Sequence, residues 1–148
     1  MQVERTRLDD QAVLDALHTG APGALHELWT RYGDVAYWAA MALTGDMPRA
    51  ADVVVDTFAM LERTPGAARR QSLPEYLVAA VRQRCAAPGS QAPLWGLTDL
   101  QLTVVALVRS QQRQVSEVAQ LLDVSRSTVC EILGDALTTL SQPGVSLP

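Results

Sequence analysis

The chain has 148 residues, 48% of them hydrophobic and 19% charged, with a formal net charge of −4. That is enough for one domain or two small ones around a buried core, and it excludes a disordered or low-complexity protein. No apolar run is long enough to span a bilayer, and "MQVERTRLDD" at the start has no apolar stretch behind it, so neither a membrane span nor a signal peptide is expected and the cytoplasm is the expected compartment.

The charge is unevenly spread. Residues 1–62 hold ten acids against four Arg, residues 63–98 hold five Arg against Glu75 alone, and residues 99–148 hold five acids against three Arg. Any nucleic-acid contact driven by charge is therefore expected in the middle segment. Every basic residue is Arg, which fits the composition of a GC-rich genome. Cys85 and Cys130 lie far apart with no C-x-x-C, and read as small buried hydrophobes.

Strand signals are nearly absent and helix signals are dense, so the expected class is all-α. Asp9 or Asp10 is placed to cap a first helix that runs to about His18, with Val13, Leu14 and Leu17 inward and "TGAPG" ending it. A second helix is expected from about Gly23 to Thr44. Leu25, Leu28, Trp29, Tyr32, Val35, Ala36, Ala39 and Leu43 form its apolar face, and Gly45 suits its C-terminal cap.

Asp46 with Pro48 in the first turn opens a third helix carrying Val53, Val54, Thr57, Phe58 and Leu61, which stops near "RTPG". "SLPE", Ser72 to Glu75, has the spacing of a capping box and starts a fourth helix to about Ala86. "APGSQAP", Ala87 to Pro93, reads as a linker. "TDLQ", Thr98 to Gln101, is a second capping box and begins a fifth helix through about Ser110. "VSEVAQLL" forms a short sixth helix, and Ser125 caps the seventh. The expected division is 1–86, a linker at 87–96, a second helical module at 97–141 and a tail at 142–148.

"VSEVAQLLDVSRSTVCEIL" has the pattern of a helix-turn-helix. Small Ala119 permits a close crossing, and Val129 with Leu133 holds the second helix to the first. With this segment reached, the chain resembles the extracytoplasmic-function (ECF) sigma factors of bacterial RNA polymerase. "RAADVVVDTF", Arg49 to Phe58, is similar to their "AEDVVQETF"-like signature. "SLPEYLVAAVRQRC" resembles their "FRAWLLRIARN"-like helix, and the C-terminal segment resembles their "EIA..LGIS.GTVKSRL.RAL"-like end. The resemblance runs from about Val13 to Leu140.

The resemblance implies two helical modules, like sigma regions 2 and 4, and a role in transcription initiation. It assigns Arg49, Asp52, Val55 and Asp56 on the third helix to binding core RNA polymerase, with Val55 standing where the family usually has Gln. It turns the fourth helix toward promoter DNA, where Arg69, Arg70, Arg82 and Arg84 would meet phosphates, a contact that binds without reading sequence. Arg126, Ser127 and Thr128 at the start of the seventh helix are the remaining candidate base and phosphate contacts.

Beyond Arg126 that helix departs from the family, with Glu131 and Asp135 and no further cation. A reading helix needs donors for base edges and cations for phosphates. A second reading therefore stays open: a sigma-like protein that has lost DNA binding and meets an anti-sigma factor or another regulatory protein through Ile132, Leu137 and Leu140. Pairing of two copies through the same helix is a third reading. His18 and His26 lack ligands at metal spacing, and no phosphate loop or nucleophile motif occurs. No cofactor, no metal and no enzymatic activity are expected.

Overall fold

The structure, a computed structural model, describes residues 2–63, 72–85 and 97–140, with the side chains of 2–9 and 140 outside that description. The described residues form seven helices and no strand: α1 (Gln2–His18), α2 (Ala24–Thr44), α3 (Met47–Arg63), α4 (Leu73–Cys85), α5 (Asp99–Gln111), α6 (Val115–Leu122) and α7 (Arg126–Leu140). The all-α class is thus observed. The linker at 87–96, the tail at 142–148, and Arg69 and Arg70 lie outside the described residues.

Local chemistry sets most of the helix ends. At α5 both halves of the capping box form: Thr98 Oγ1 accepts from the Gln101 N–H at 3.1 Å, and Gln101 Oε1 accepts from the Thr98 N–H at 2.8 Å. Ser72 Oγ takes the Glu75 N–H at 3.4 Å at the start of α4. Gly45 closes α2 with φ 65°, a left-handed conformation that costs glycine little, and donates its N–H to the Met41 carbonyl at 2.8 Å.

The first helix differs from the expectation. It begins at Gln2, so Asp10 is not a cap but an interior residue of α1, with its side chain buried. Asp10 is covered because it faces Tyr32 of α2, a partner that neighbouring residues in sequence do not reveal.

The core is built around α2. Leu28, Tyr32, Val35, Ala36, Ala39 and Ala40 are fully buried, and α3, α4 and α5 each pack along this helix. The small Ala side chains let those neighbours approach closely. α5 also lies against α4 and α7, while α6 sits against α1 and α7. One continuous apolar cluster therefore runs from Leu14 and Leu28 through Leu77 and Leu102 to Val129 and Ala136. The helices before and after residues 86–96 share it.

Buried hydroxyls are satisfied locally. Thr57 donates to the Val53 carbonyl at 2.8 Å, and Thr103 to that of Asp99 at 2.6 Å. Among the described residues, no buried side-chain polar atom lacks a hydrogen-bond partner. Cys85 is buried, as expected, but Cys130 is exposed on α7, and both are free thiols. Burial pushes the Cys85 thiol above its ordinary pKa, with Arg49 nearby opposing the rise.

Candidate nucleic-acid and protein interfaces

The turn between α6 and α7 is the sharpest local feature of the C-terminal half. Asp123 takes a left-handed conformation (φ 58°), its N–H reaches the Gln120 carbonyl at 3.3 Å, and the Val124 N–H reaches the Ala119 carbonyl at 2.9 Å. This pair of bonds is a Schellman motif, which ends α6 and turns the chain at once. Val124 then packs on the apolar cluster. Ser125 Oγ accepts the Thr128 N–H at 3.1 Å and lies 2.8 Å from Thr128 Oγ1, capping α7.

The second helix of the motif is held by one face. Val129 and Ala136 are fully buried, and Ile132 and Leu133 are half-buried against the same cluster. The opposite face presents Arg126, Ser127, Cys130, Glu131, Asp135, Leu137 and Thr138 to solvent. Of the three expected DNA contacts here, Arg126 and Ser127 are exposed, whereas Thr128 is half-buried and engaged in the cap.

Glu131 and Asp135 stand one turn apart on this outward face, where they oppose the approach of phosphates. Of the residues read as a protein interface, Leu137 is 61% exposed, whereas Ile132 is half-buried against the core. The Leu140 side chain lies outside the described residues.

The basic residues of α4 have partners inside the chain. Arg82 Nη1 donates to the Leu97 carbonyl and lies 3.3 Å from Asp99 Oδ1, fastening the end of α4 to the start of α5. Arg84 is exposed and its Nη2 lies 3.0 Å from the Met60 sulfur of α3. Arg84 is thus the expected α4 cation that stays open to solvent. Glu75 at the head of the same helix has its pKa raised by burial and then by the neighbouring Asp99 carboxylate.

On α3, Asp52, Val55 and Asp56 all point outward, and Val55 is 61% exposed. Arg49 is exposed as well, and it also has a partner inside the fold. Its Nη2 donates to the Cys85 carbonyl at 3.2 Å, placing a cation at the C-terminal end of α4 where the helix dipole favours it. All four expected contact positions are therefore exposed, and Arg49 also ties α3 to α4.

A polar cluster joins α1, α2 and the α5–α6 turn. Tyr32 donates its hydroxyl to Asp10 Oδ2 at 2.5 Å, and Arg31 Nη1 lies 3.2 Å from Asp10 Oδ1 while its Nε reaches Glu27 at 3.1 Å. Burial raises the Asp10 pKa; the Tyr32 hydrogen bond, Arg31 and Arg113 pull it back down. The Tyr32 pKa is also raised, first by burial and then by the Asp10 charge.

Farther out, Gln111 Nε2 donates to the Arg31 carbonyl at 2.8 Å and to Asp34 Oδ1 at 3.2 Å, and Arg113 Nε donates to Gln111 Oε1 at 2.6 Å. The same residues rim an open polar cleft of ≈510 Å³ between Arg31 and Arg113. The cluster went unread in the sequence because its partners lie up to 80 positions apart. Its groups satisfy one another.

Among the described residues, no three His, Cys, Asp or Glu side chains gather in a way that could hold a metal ion. His18 and His26 are both exposed. No described helix is long and apolar enough to cross a membrane.

Residues 94–142 match the family model for sigma-70, region 4. The matched span takes in α5, α6 and α7, the helices that form the turn and the caps described above. Region 4 belongs to regulators of transcription initiation and is not an enzymatic domain. A comparison with curated proteins found no match.

Proposed function

We propose that the chain acts in transcription initiation as a sigma factor of the extracytoplasmic-function type, binding core RNA polymerase through α3 and promoter DNA weakly through α7. The single observation that carries this reading is the sigma-70 region 4 match over a segment folded as a capped helix-turn-helix. Residues 1–86 would serve as the region 2-like module, with Asp52, Val55 and Asp56 toward polymerase. Arg84, with Arg69 and Arg70 from the preceding segment, would meet phosphates. The cytoplasm, where polymerase works, is the compartment this role requires.

Weak promoter reading follows from charge. α7 offers Arg126 as its cation and sets Glu131 and Asp135 on the outward face, so few phosphates can be neutralised. Each neutralised phosphate steepens the dependence of log affinity on log salt by about 0.9 for B-form DNA. The α7 contribution to that slope is therefore small.

The same face supports a second reading. An exposed Leu137 beside two carboxylates suits contact with a regulatory protein, such as an anti-sigma factor, better than contact with DNA. A paired second copy would bring the same acids against each other and is the weakest alternative.

The deciding experiment mixes the purified chain with core polymerase and scores co-elution, followed by promoter-directed transcription and DNA binding across a salt series. Co-elution with a shallow salt slope supports the proposal. Absence of any polymerase binding refutes it, and recovery of a small helical regulator from native cells in place of polymerase favours the second reading.

A further inference from the structure

Two helix ends meet where α4 stops and α5 begins. Arg82 and Arg84 stand in the last turn of α4, where the helix dipole favours cations, and Asp99 stands in the first turn of α5, where it favours an acid. Arg82 is turned toward α5. Its Nη1 donates to the Leu97 carbonyl and lies 3.3 Å from Asp99 Oδ1. Leu97 is 1% exposed and packs in the core, and the Thr98–Gln101 box fixes the turn that follows, so both acceptors are held in place. The pair itself stays within reach of solvent, with side chains 23% and 47% exposed. Rotation about the arginine's own side-chain bonds would carry the guanidinium outward with α5 still packed.

The charges around this pair make its state matter. α3 and α4 expose Arg49, Arg63 and Arg84 against Asp52, Asp56 and Glu62. That surface is close to neutral, so one more free guanidinium on α4 weighs on it. Glu75, two turns back along α4, is half-buried and feels the Asp99 charge as Arg82 does. A carboxylate and a phosphate offer a guanidinium the same kind of paired acceptor oxygens, so the two compete for Arg82.

We propose that Asp99 is a built-in competitor for phosphate at Arg82: while α5 is packed on α4, its carboxylate withholds one cation of α4 from DNA. The contact is autoinhibitory. It rests on the DNA reading of α4 and adds to it a restraint supplied by the C-terminal half of the same chain.

The test measures binding of the full chain to a mixed-sequence DNA duplex across a salt series. Asp99→Asn removes the charge and leaves both the Thr98–Gln101 box and the main-chain carbonyl that Thr103 uses. Thermal melting checks that the variant is folded. Ion pairs exposed to this degree are modest, so Asp99→Asn is expected to bind about two- to fivefold tighter at low salt. Its log–log salt slope should steepen by up to about 0.9, the share of one phosphate. Arg82→Gln is expected to leave wild-type affinity and slope unchanged and to erase the gain in the Asp99→Asn background. That double-mutant cycle separates release of Arg82 from a general gain of positive charge, which would survive without Arg82.

Unchanged binding by Asp99→Asn, a gain that persists without Arg82, or an Arg82→Gln loss as large in wild type as in Asp99→Asn overturns the proposal. Arg84→Gln then tells which reading has failed. A shallower slope in that variant keeps α4 as a DNA-binding element with no internal competitor. No salt-dependent binding by any of these chains removes the DNA reading and the proposal together.

Discussion

Replacing Tyr32 with Phe removes one oxygen from a fully buried side chain and leaves Asp10, 5% exposed, short of its closest partner. Hydrogen bonds to charged groups contribute about 1.5–3 kcal/mol. Arg31 cannot fully compensate, because at 3.2 Å it already divides its charge between Asp10 and Glu27. The expected cost near neutral pH is about 2 kcal/mol, a fall in melting temperature of about 4–8 °C for a chain of this size.

The pH dependence gives the sharper check. Burial holds the Asp10 pKa above its unfolded value, so the folded state binds the proton more tightly and ionised Asp10 costs stability. That cost is absent below the unfolded pKa and grows as pH rises through the folded one. Tyr32 stabilises the ionised form, so Tyr32→Phe should raise the Asp10 pKa further. Its penalty should then be largest near neutrality and shrink on acidification. Glu75, whose pKa is also raised, adds to the slope in both proteins and cancels in their difference. Thermal melts of the two proteins from about pH 4 to pH 7 measure this. A cost below about 0.5 kcal/mol at neutrality, or one that grows as pH falls, would refute the reasoning.

Asp10→Asn keeps an acceptor for Tyr32 without a buried charge, so stability at neutral pH should be unchanged or higher and the acid-side slope should flatten in the same melts. Gln112 ends α5 with φ 53°, a conformation that strains any side chain, and Gln112→Gly should stabilise by about 0.5–1 kcal/mol by urea denaturation. Leu102 is fully buried on α5, so Leu102→Ala should cost about 2–5 kcal/mol. Calorimetry should show one transition shifted as a whole, because α5 shares its core with α2 and α4. Two separated transitions would count against a shared core.

Much of this architecture was legible because the signals were local. The Thr98–Gln101 box, the Gly45 stop and the Ser125 cap each lie within a few residues of what they control, and the helix ends fell where those residues put them. Contacts between distant segments were not legible. Asp10 resembles a cap until α2 brings Tyr32 to it, and Arg82 resembles a phosphate ligand until α5 supplies Asp99 and the Leu97 carbonyl.

Spacing also overstates burial at the edge of an apolar stripe. Trp29 fits the helical period of α2, yet it stays 45% exposed because only one edge of its ring meets Phe58 of α3. For the candidate interfaces, Asp52, Val55, Asp56 and Arg126 are accessible as the sequence placed them. Arg49 is exposed too but also bonds the Cys85 carbonyl, while Thr128 is half-buried and engaged in the α7 cap.

The packing of α5 along α2 also matters before the protein is finished. During translation α2 is complete at Thr44, whereas the helix that covers one of its faces is complete only at Gln111. At about 5–20 residues per second the nascent chain waits roughly 3–13 s with that apolar face bare. Ribosome-bound chains ending before α5 should therefore bind chaperones and resist folding. Because α5 packs on both α2 and α4, a chain cut short by a premature stop before α5 is expected to leave apolar surface bare and to aggregate.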